Sequence, residues 1–188
     1  MWEHEIIEFK NYLKLERSLS NNSVAAYVND INKLISFILK KNLGEIKYSD
    51  VNSDLLKDFI EDLYNSDTSS YSQARIISGL KSFFGYLLLE EKIEIDPTEL
   101  IESPKLLKKL PDTLNIEEIE KILSSIELNS FEGLRNRAII ETLYSCGIRV
   151  SELINLTFQN LFLDIGFIKV MGKSSKERLV PIGKSAIK

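Results

Sequence analysis

Three prolines, Pro97, Pro104 and Pro111, fall within the stretch EIDPTELIESPKLLKKLPDTL, and the only other proline of the chain is Pro181. Each removes a backbone donor and pushes the residue before it out of helical geometry. The stretch therefore reads as an extended interdomain linker, its core at residues 104–110. The chain divides into residues 1–103 and residues 111–188, each of which must bury its own core. Lys105, Lys108 and Lys109 of the linker either touch phosphate or simply solvate it.

Before the prolines, apolar residues recur at helical spacing. Ile6, Phe9 and Leu13 mark a first helix. In LSNNSVAAYVNDINKLISFILKK, Val24, Tyr27, Ile31, Leu34 and Ile38 share one face, and Ser20 to Asn22 offer N-caps. NSDLLKDFIEDLYN has a capping Asn52 or Ser53 and an apolar face at Leu56, Phe59, Ile60 and Leu63. The long SSYSQARIISGLKSFFGYLLLEE turns Ile76, Leu80, Phe83, Phe84 and Leu87 inward. Four such helices can bury a core together, which predicts a small helical bundle.

After the prolines the pattern changes. Asn115, followed three residues later by Glu118, predicts a capping box. SFEGLRNRAIIETLYSCG reads as a helix from Ser130 that ends at Gly147, the residue favoured for a left-handed C-cap. VSELINL begins another helix, with Val150, Leu153 and Leu156 inward. GFIKVMGKSSKERLVPIG alternates around GKSSK and predicts a β-hairpin. The fold class is mainly α, with a helical bundle followed by an α+β part that carries a small sheet.

Charge alone does not announce a function. The formal net charge is -4, but residues 169–188 carry Lys169, Lys173, Lys176, Arg178, Lys184 and Lys188 against Glu177 alone. Local fields steer polyanions more than the total does, although such a run also serves as a solvated surface. With 44% hydrophobic and 28% charged residues, and no apolar run long enough to span a bilayer, no membrane segment is expected. The acidic, amphipathic start MWEHEIIEFKNYLKLERS is unlike a signal peptide. A single cysteine, Cys146, excludes an intrachain disulfide and suits a reducing cytoplasm.

The chemistry gathers around two glycines. Arg149 sits two residues after Gly147, at the start of the next helix, where backbone donors are unpaired and an arginine adds a planar fork suited to phosphate. Glu152 lies one turn on and can hold that guanidinium. The same spacing also makes an ordinary surface ion pair. Lys173 follows Gly172 at the hairpin turn, where it stabilises a phosphate, donates a proton to a leaving oxygen, or is merely exposed. Lys176 and Arg178 grip neighbouring phosphates or solubilise the hairpin.

GIRVSEL, followed some twenty residues later by GKSSKERLVPIG, is far more specific than either part. Together they resemble the tyrosine recombinase/phage integrase family, most closely the bacterial Xer recombinases. LSNNSVAAYVNDINKLISFI, SSYSQARIISGLKSFFGYL and IESPKLLKKLPDTLNIEEIEKIL fall in the order that family shows. The resemblance implies a SAM-like core-binding domain to about residue 103, then the first part of a catalytic domain. It implies that a tyrosine attacks a DNA phosphodiester, that Arg149 stabilises the phosphate with Glu152 in support, and that Lys173 protonates the leaving 5′ oxygen. It sets the helix bearing Ser72, Arg75, Ser78 and Lys81 against DNA, with Gln73 a less certain neighbour. Double-stranded DNA and another recombinase protomer are the partners implied, with no cofactor.

The family also needs a His-x-x-Arg motif and a nucleophilic tyrosine. The single histidine here is His4, the single tryptophan is Trp2, and the last tyrosine, Tyr144, precedes Arg149 on a helix whose periodicity points it inward with Ile140 and Leu143. The expectation is an incomplete chain that binds DNA without cutting it. A short form that binds DNA or a recombinase without catalysis is the alternative, and a helical scaffold without DNA affinity a third.

Overall fold

The computed structural model describes residues 1–41, 43–106, 110–172 and 176–188, in two compact units, Met1–Lys109 and Leu110–Lys188. The first holds α1 (Glu3–Leu15), α2 (Asn21–Lys40), α3 (Ser53–Asn65) and α4 (Ser70–Leu89), the four helices that periodicity predicts. Ser20, Asn52 and Ser69 cap α2, α3 and α4, accepting from the N–H groups of Ser23, Leu55 and Ser72. Each cap satisfies a donor that the helix start leaves without an intrahelical partner.

Phe9, Ile31, Leu34, Ile38, Ile76, Phe83, Phe84 and Leu87 are wholly withdrawn from water and form one core. Burial of a side chain of this size stabilises by about 1.5–3 kcal/mol before the entropy of ordering it is counted. Trp2 closes the bundle: its ring stacks on Phe83 with centroids 6.1 Å apart, and its Nε1–H donates to the Ile46 carbonyl at 2.9 Å. The stretch expected to be an extended linker is not extended throughout. Within it Ile101 joins the bundle core, as does Ile93 just ahead of it, and between them the Asp96 carboxylate accepts from both the N–H and the hydroxyl of Thr98 at 2.7 Å. Proline forbids a helix there but not burial.

The second unit holds α5 (Ile116–Ser124), α6 (Phe131–Cys146), α7 (Val150–Ile154), strands β1 (Leu161–Phe162), β2 (Phe167–Met171) and β3 (Glu177–Pro181), and α8 (Lys184–Ile187). The strands form an antiparallel sheet in the order β1-β2-β3, so the chain is mainly α with one small sheet. Asn115 and Glu118 close the expected capping box on α5. Gly147 ends α6 at φ 59°, its N–H bonded to the Leu143 carbonyl at 2.9 Å, a backbone that glycine adopts without a Cβ penalty. Ile168 and Val170 point from β2 into a core shared with Ile148, with Leu143, Leu153, Leu156 and Val180 around it.

Two expectations fail here. Val150 is 63% exposed and Tyr144 is 53% exposed, although periodicity turned both inward. α7 is a single turn whose covered side is centred on Glu152 and Leu153, roughly a quarter turn or more away from Val150. α6 has no strongly one-sided apolar face, and its apolar contact with the sheet core runs through Leu143 and Cys146. Among the described residues no helix is long and apolar enough to cross a membrane.

α2 and α4 approach closely at Gly79, where a Cβ would lie 2.6 Å from Asp30 Oδ2 and 2.9 Å from Asp30 Cβ. Gly85, on the same helix, has nothing within 4 Å of its Cβ position. Gly79→Ala should therefore destabilise the fold by about 1–3 kcal/mol through forced repacking. Gly85→Ala should stabilise it by up to about 1 kcal/mol through helix propensity. Urea unfolding separates the two, and shifts of equal sign would show that clearance between α2 and α4 does not govern position 79.

Candidate functional site

The turn after α6 builds the site. Gly147 reverses the chain, Ile148 drops into the sheet core, and Arg149 emerges as the residue before α7 with its side chain 70% exposed. One turn later Glu152 is buried, its side chain only 3% exposed. Its carboxylate accepts four hydrogen bonds. Arg149 donates its backbone N–H to Oε2 at 2.8 Å and Nη1–H to Oε1 at 2.9 Å. Arg178, on β3, donates Nη1–H to Oε1 and Nη2–H to Oε2, both at 2.8 Å.

The sheet register brings Arg178 there. Val170 pairs with Arg178, so the two side chains leave the sheet on the same face, the one that packs against α7. Gly172 leaves room for the passage, since a Cβ there would lie 3.0 Å from Arg178 Nη1. The Arg178 guanidinium first, then the Arg149 N–H, overcome the cost of burial and pull the Glu152 carboxyl from 4.5 down to about 2. Two arginines on one carboxylate leave the cluster one positive charge in excess.

The other expected residues are placed as follows. Lys173 and Lys108 lie outside the described residues. Lys176 is exposed on the hairpin, and its carbonyl accepts from the Gly172 N–H at 2.7 Å. Lys105 is exposed. On α4, Ser78 is exposed, while Ser72 and Lys81 are half-buried, with the Ser72 hydroxyl 3.1 Å from that of Ser69. Arg75 is about half exposed and donates to the buried Asp30. Gln73 does not face outward: it is buried and donates from Nε2 to the Thr68 carbonyl at 2.7 Å. The expected field from helix-start amides at Arg149 is small, because α7 has five residues and the N–H groups of Glu152 and Leu153 already bond the Arg149 carbonyl. The spacing of Arg149 and Glu152 announced their pair. The longer link from Arg178 was missed, and only the register carries it. Among the described residues no cluster of His, Cys, Asp and Glu is placed to hold a metal ion.

Residues 6–91 match the phage integrase N-terminal SAM-like domain, and residues 112–188 match the phage integrase family. The chain is 38% identical over 182 residues to the tyrosine recombinase XerD of Staphylococcus aureus, covering 97% of this chain and 61% of that protein. The same enzyme of Staphylococcus epidermidis matches at 38% over 182 residues, again with 61% of its length covered. The chain thus spans about three fifths of these relatives. In solved structures the fold recurs in a lambda integrase (75–356) dimer bound to a COC' core site, with a TM-score of 0.74 at 16% identity over 98% of this chain and 64% of that one. It recurs in XerH bound to difH substrate, with a TM-score of 0.65 at 24% identity over 97% of this chain and 54% of that one.

The two family models together cover most of the chain, one on each unit, and the chain belongs to the phage integrase family of tyrosine recombinases. Within it, the similarity runs to the Xer members.

The site has a pH signature. The folded Glu152 carboxyl binds a proton less readily than the unfolded one, so the unfolded chain gains the extra proton. The stabilisation it gives is full above about 4.5 and is lost as pH falls toward about 2. Glu152→Gln should lower stability at neutral pH, by leaving both arginines without a counter-charge. It should also flatten the acid limb of stability in that window. Urea unfolding across the window checks this, and parallel limbs for wild type and variant would show that Glu152 is not held ionised by its arginines.

Proposed function

We propose that this chain acts in site-specific recombination of double-stranded DNA, binding the duplex and setting Arg149 on the scissile phosphate. The observation that carries the reading is the buried Glu152 carboxylate shared by two arginines. It fixes the root of Arg149 while most of that side chain stays in solvent with an excess positive charge beside it. Such a preorganised donor stabilises the charge that develops on a phosphate under attack. In this reading the oxygen of a tyrosine that residues 1–188 do not themselves supply forms the bond to phosphorus, and a 3′-phosphotyrosyl link results. The bond to the 5′ oxygen breaks, and Lys173 supplies that oxygen with its proton.

The names of the relatives support the same reading: lambda integrase is described as a dimer on a core site and as a tetramer on a Holliday junction. We assign a second recombinase protomer as partner. Phe131 and Phe158, 93% and 89% exposed, offer apolar surface of the kind a protomer covers. Lys81, Lys105, Lys108 and Lys176 complete the proposed phosphate contacts, and the compartment is the cytoplasm. Tyr144 is accessible but leaves α6 only five residues before Arg149, and it is not assigned as nucleophile.

Two measurements test this. Duplex DNA should bind with a salt dependence that Arg149→Ala reduces by about one unit of log–log slope, the loss expected for one phosphate contact. Unchanged affinity and slope would remove Arg149 from the phosphate. Incubation with a nicked suicide duplex, followed by a denaturing gel, should give no protein–DNA adduct, since no family-matching tyrosine is present. A covalent band would relocate the nucleophile to the tyrosine that peptide mapping identifies.

A further inference from the structure

Asp30 is an acidic residue in the middle of the apolar face of α2, only 1% exposed, and the bundle gives it one strong partner. Arg75 of α4 donates Nη1–H to Asp30 Oδ2 at 2.7 Å, while Oδ1 is buried with no hydrogen-bond partner. A half-satisfied buried carboxylate is costly, and an apolar residue of similar volume commonly serves stability as well or better. Gly79 is also fixed by it, because any larger residue would collide with the carboxylate. Two positions of the core are thus committed to holding one guanidinium, and the packing of α2 on α4 does not itself require that.

The chemistry of the pair limits what Arg75 does outside. Its side chain is 46% exposed and uses one donor inward, and arginine carries five N–H donors in a planar fork. Its charge is compensated by Asp30, so its pull on a polyanion is weak at a distance. A directional set of donors, held by a buried anchor, remains. That combination suits base-edge hydrogen bonding more than phosphate attraction, and the bidentate acceptor pair that fits the fork is O6 and N7 of guanine in the major groove.

We propose that Asp30 is a positioning residue that aims Arg75 at a guanine edge, so that the pair confers base preference rather than affinity; this rests on the DNA-binding reading above. The other candidates on the outer face of α4, Ser78 and Lys81, supply contacts that carry no such anchor.

The test is selection of bound sequences from a randomised duplex library, with the salt dependence of binding measured on the selected pool. Wild type should enrich a G·C pair at one position. Asp30→Asn keeps the shape but removes the compensating charge, so it should lose that enrichment while its salt slope steepens by about one unit. Arg75→Lys keeps the charge and loses the fork, so it should lose the enrichment with the slope unchanged. This second variant decides the matter should circular dichroism show Asp30→Asn unfolded. Enrichment of the same base to the same degree by wild type and either folded variant overturns the proposal. So does a wild type that retains duplex without base preference, because Arg75 is then a phosphate contact or purely structural. A wild type that retains no duplex at all sinks the DNA-binding reading, and this inference with it.

Discussion

A carboxylate withdrawn from water stays charged only where cations and donors replace its hydration, and the second unit is arranged around that requirement at Glu152. Arg149 reaches it from the neighbouring turn and Arg178 from a strand 26 residues further along the chain. The local contact fixes the start of α7. The distant one fastens α7 to β3, so the loop that carries Arg149 and the third strand of the sheet share one anchor. Moving either arginine breaks bonds to the other's partner. The geometry of the candidate site is therefore a property of the fold, not of a flexible surface side chain.

The first unit also buries a carboxylate, with the opposite balance. At Glu152 two guanidiniums and a backbone N–H outweigh desolvation, and the carboxyl is pulled down. At Asp30 desolvation is the largest influence, Arg75 offsets only part of it, and the carboxyl is pushed up. The difference lies in the count of donors: four hydrogen bonds in one case, one in the other. Burial alone says nothing about which way an acid moves; the number and charge of the groups facing it decide.

Much of this was legible in the sequence. The four bundle helices followed from period 3.6, two of their starts from Ser20 and Asn52, the start of α5 from the Asn115–Glu118 pair, and the end of α6 from Gly147. The hairpin followed from alternation. What escaped reading depends on contacts distant along the chain. Asp30 sits in an apolar stripe as a polar exception, and nothing local says that Arg75 will meet it. Arg178 read as one more basic residue of a charged run, because its face of the sheet is set by a register that the turn sequence leaves open. β1 has two residues, too short for any period to show. Val150 and Tyr144 failed for a related reason: on a one-turn helix, and on a helix without a one-sided apolar face, periodicity does not say which side will be covered. The burial of Ile101, between Pro97 and Pro104, escaped because proline marks where helix ends, not where packing ends.

Trp2 is the only tryptophan of the chain, and it is held in the first unit by ring stacking and by its bond to the Ile46 carbonyl. The chain thereby carries a native optical label for half of itself. Selective excitation of indole reports the opening of the bundle, while the sheet-bearing unit, whose aromatic residues are Tyr144 and phenylalanines, stays dark to that channel. Whether the two halves melt as one cooperative body or in succession can be read by setting indole emission against backbone circular dichroism, with no probe attached to the protein.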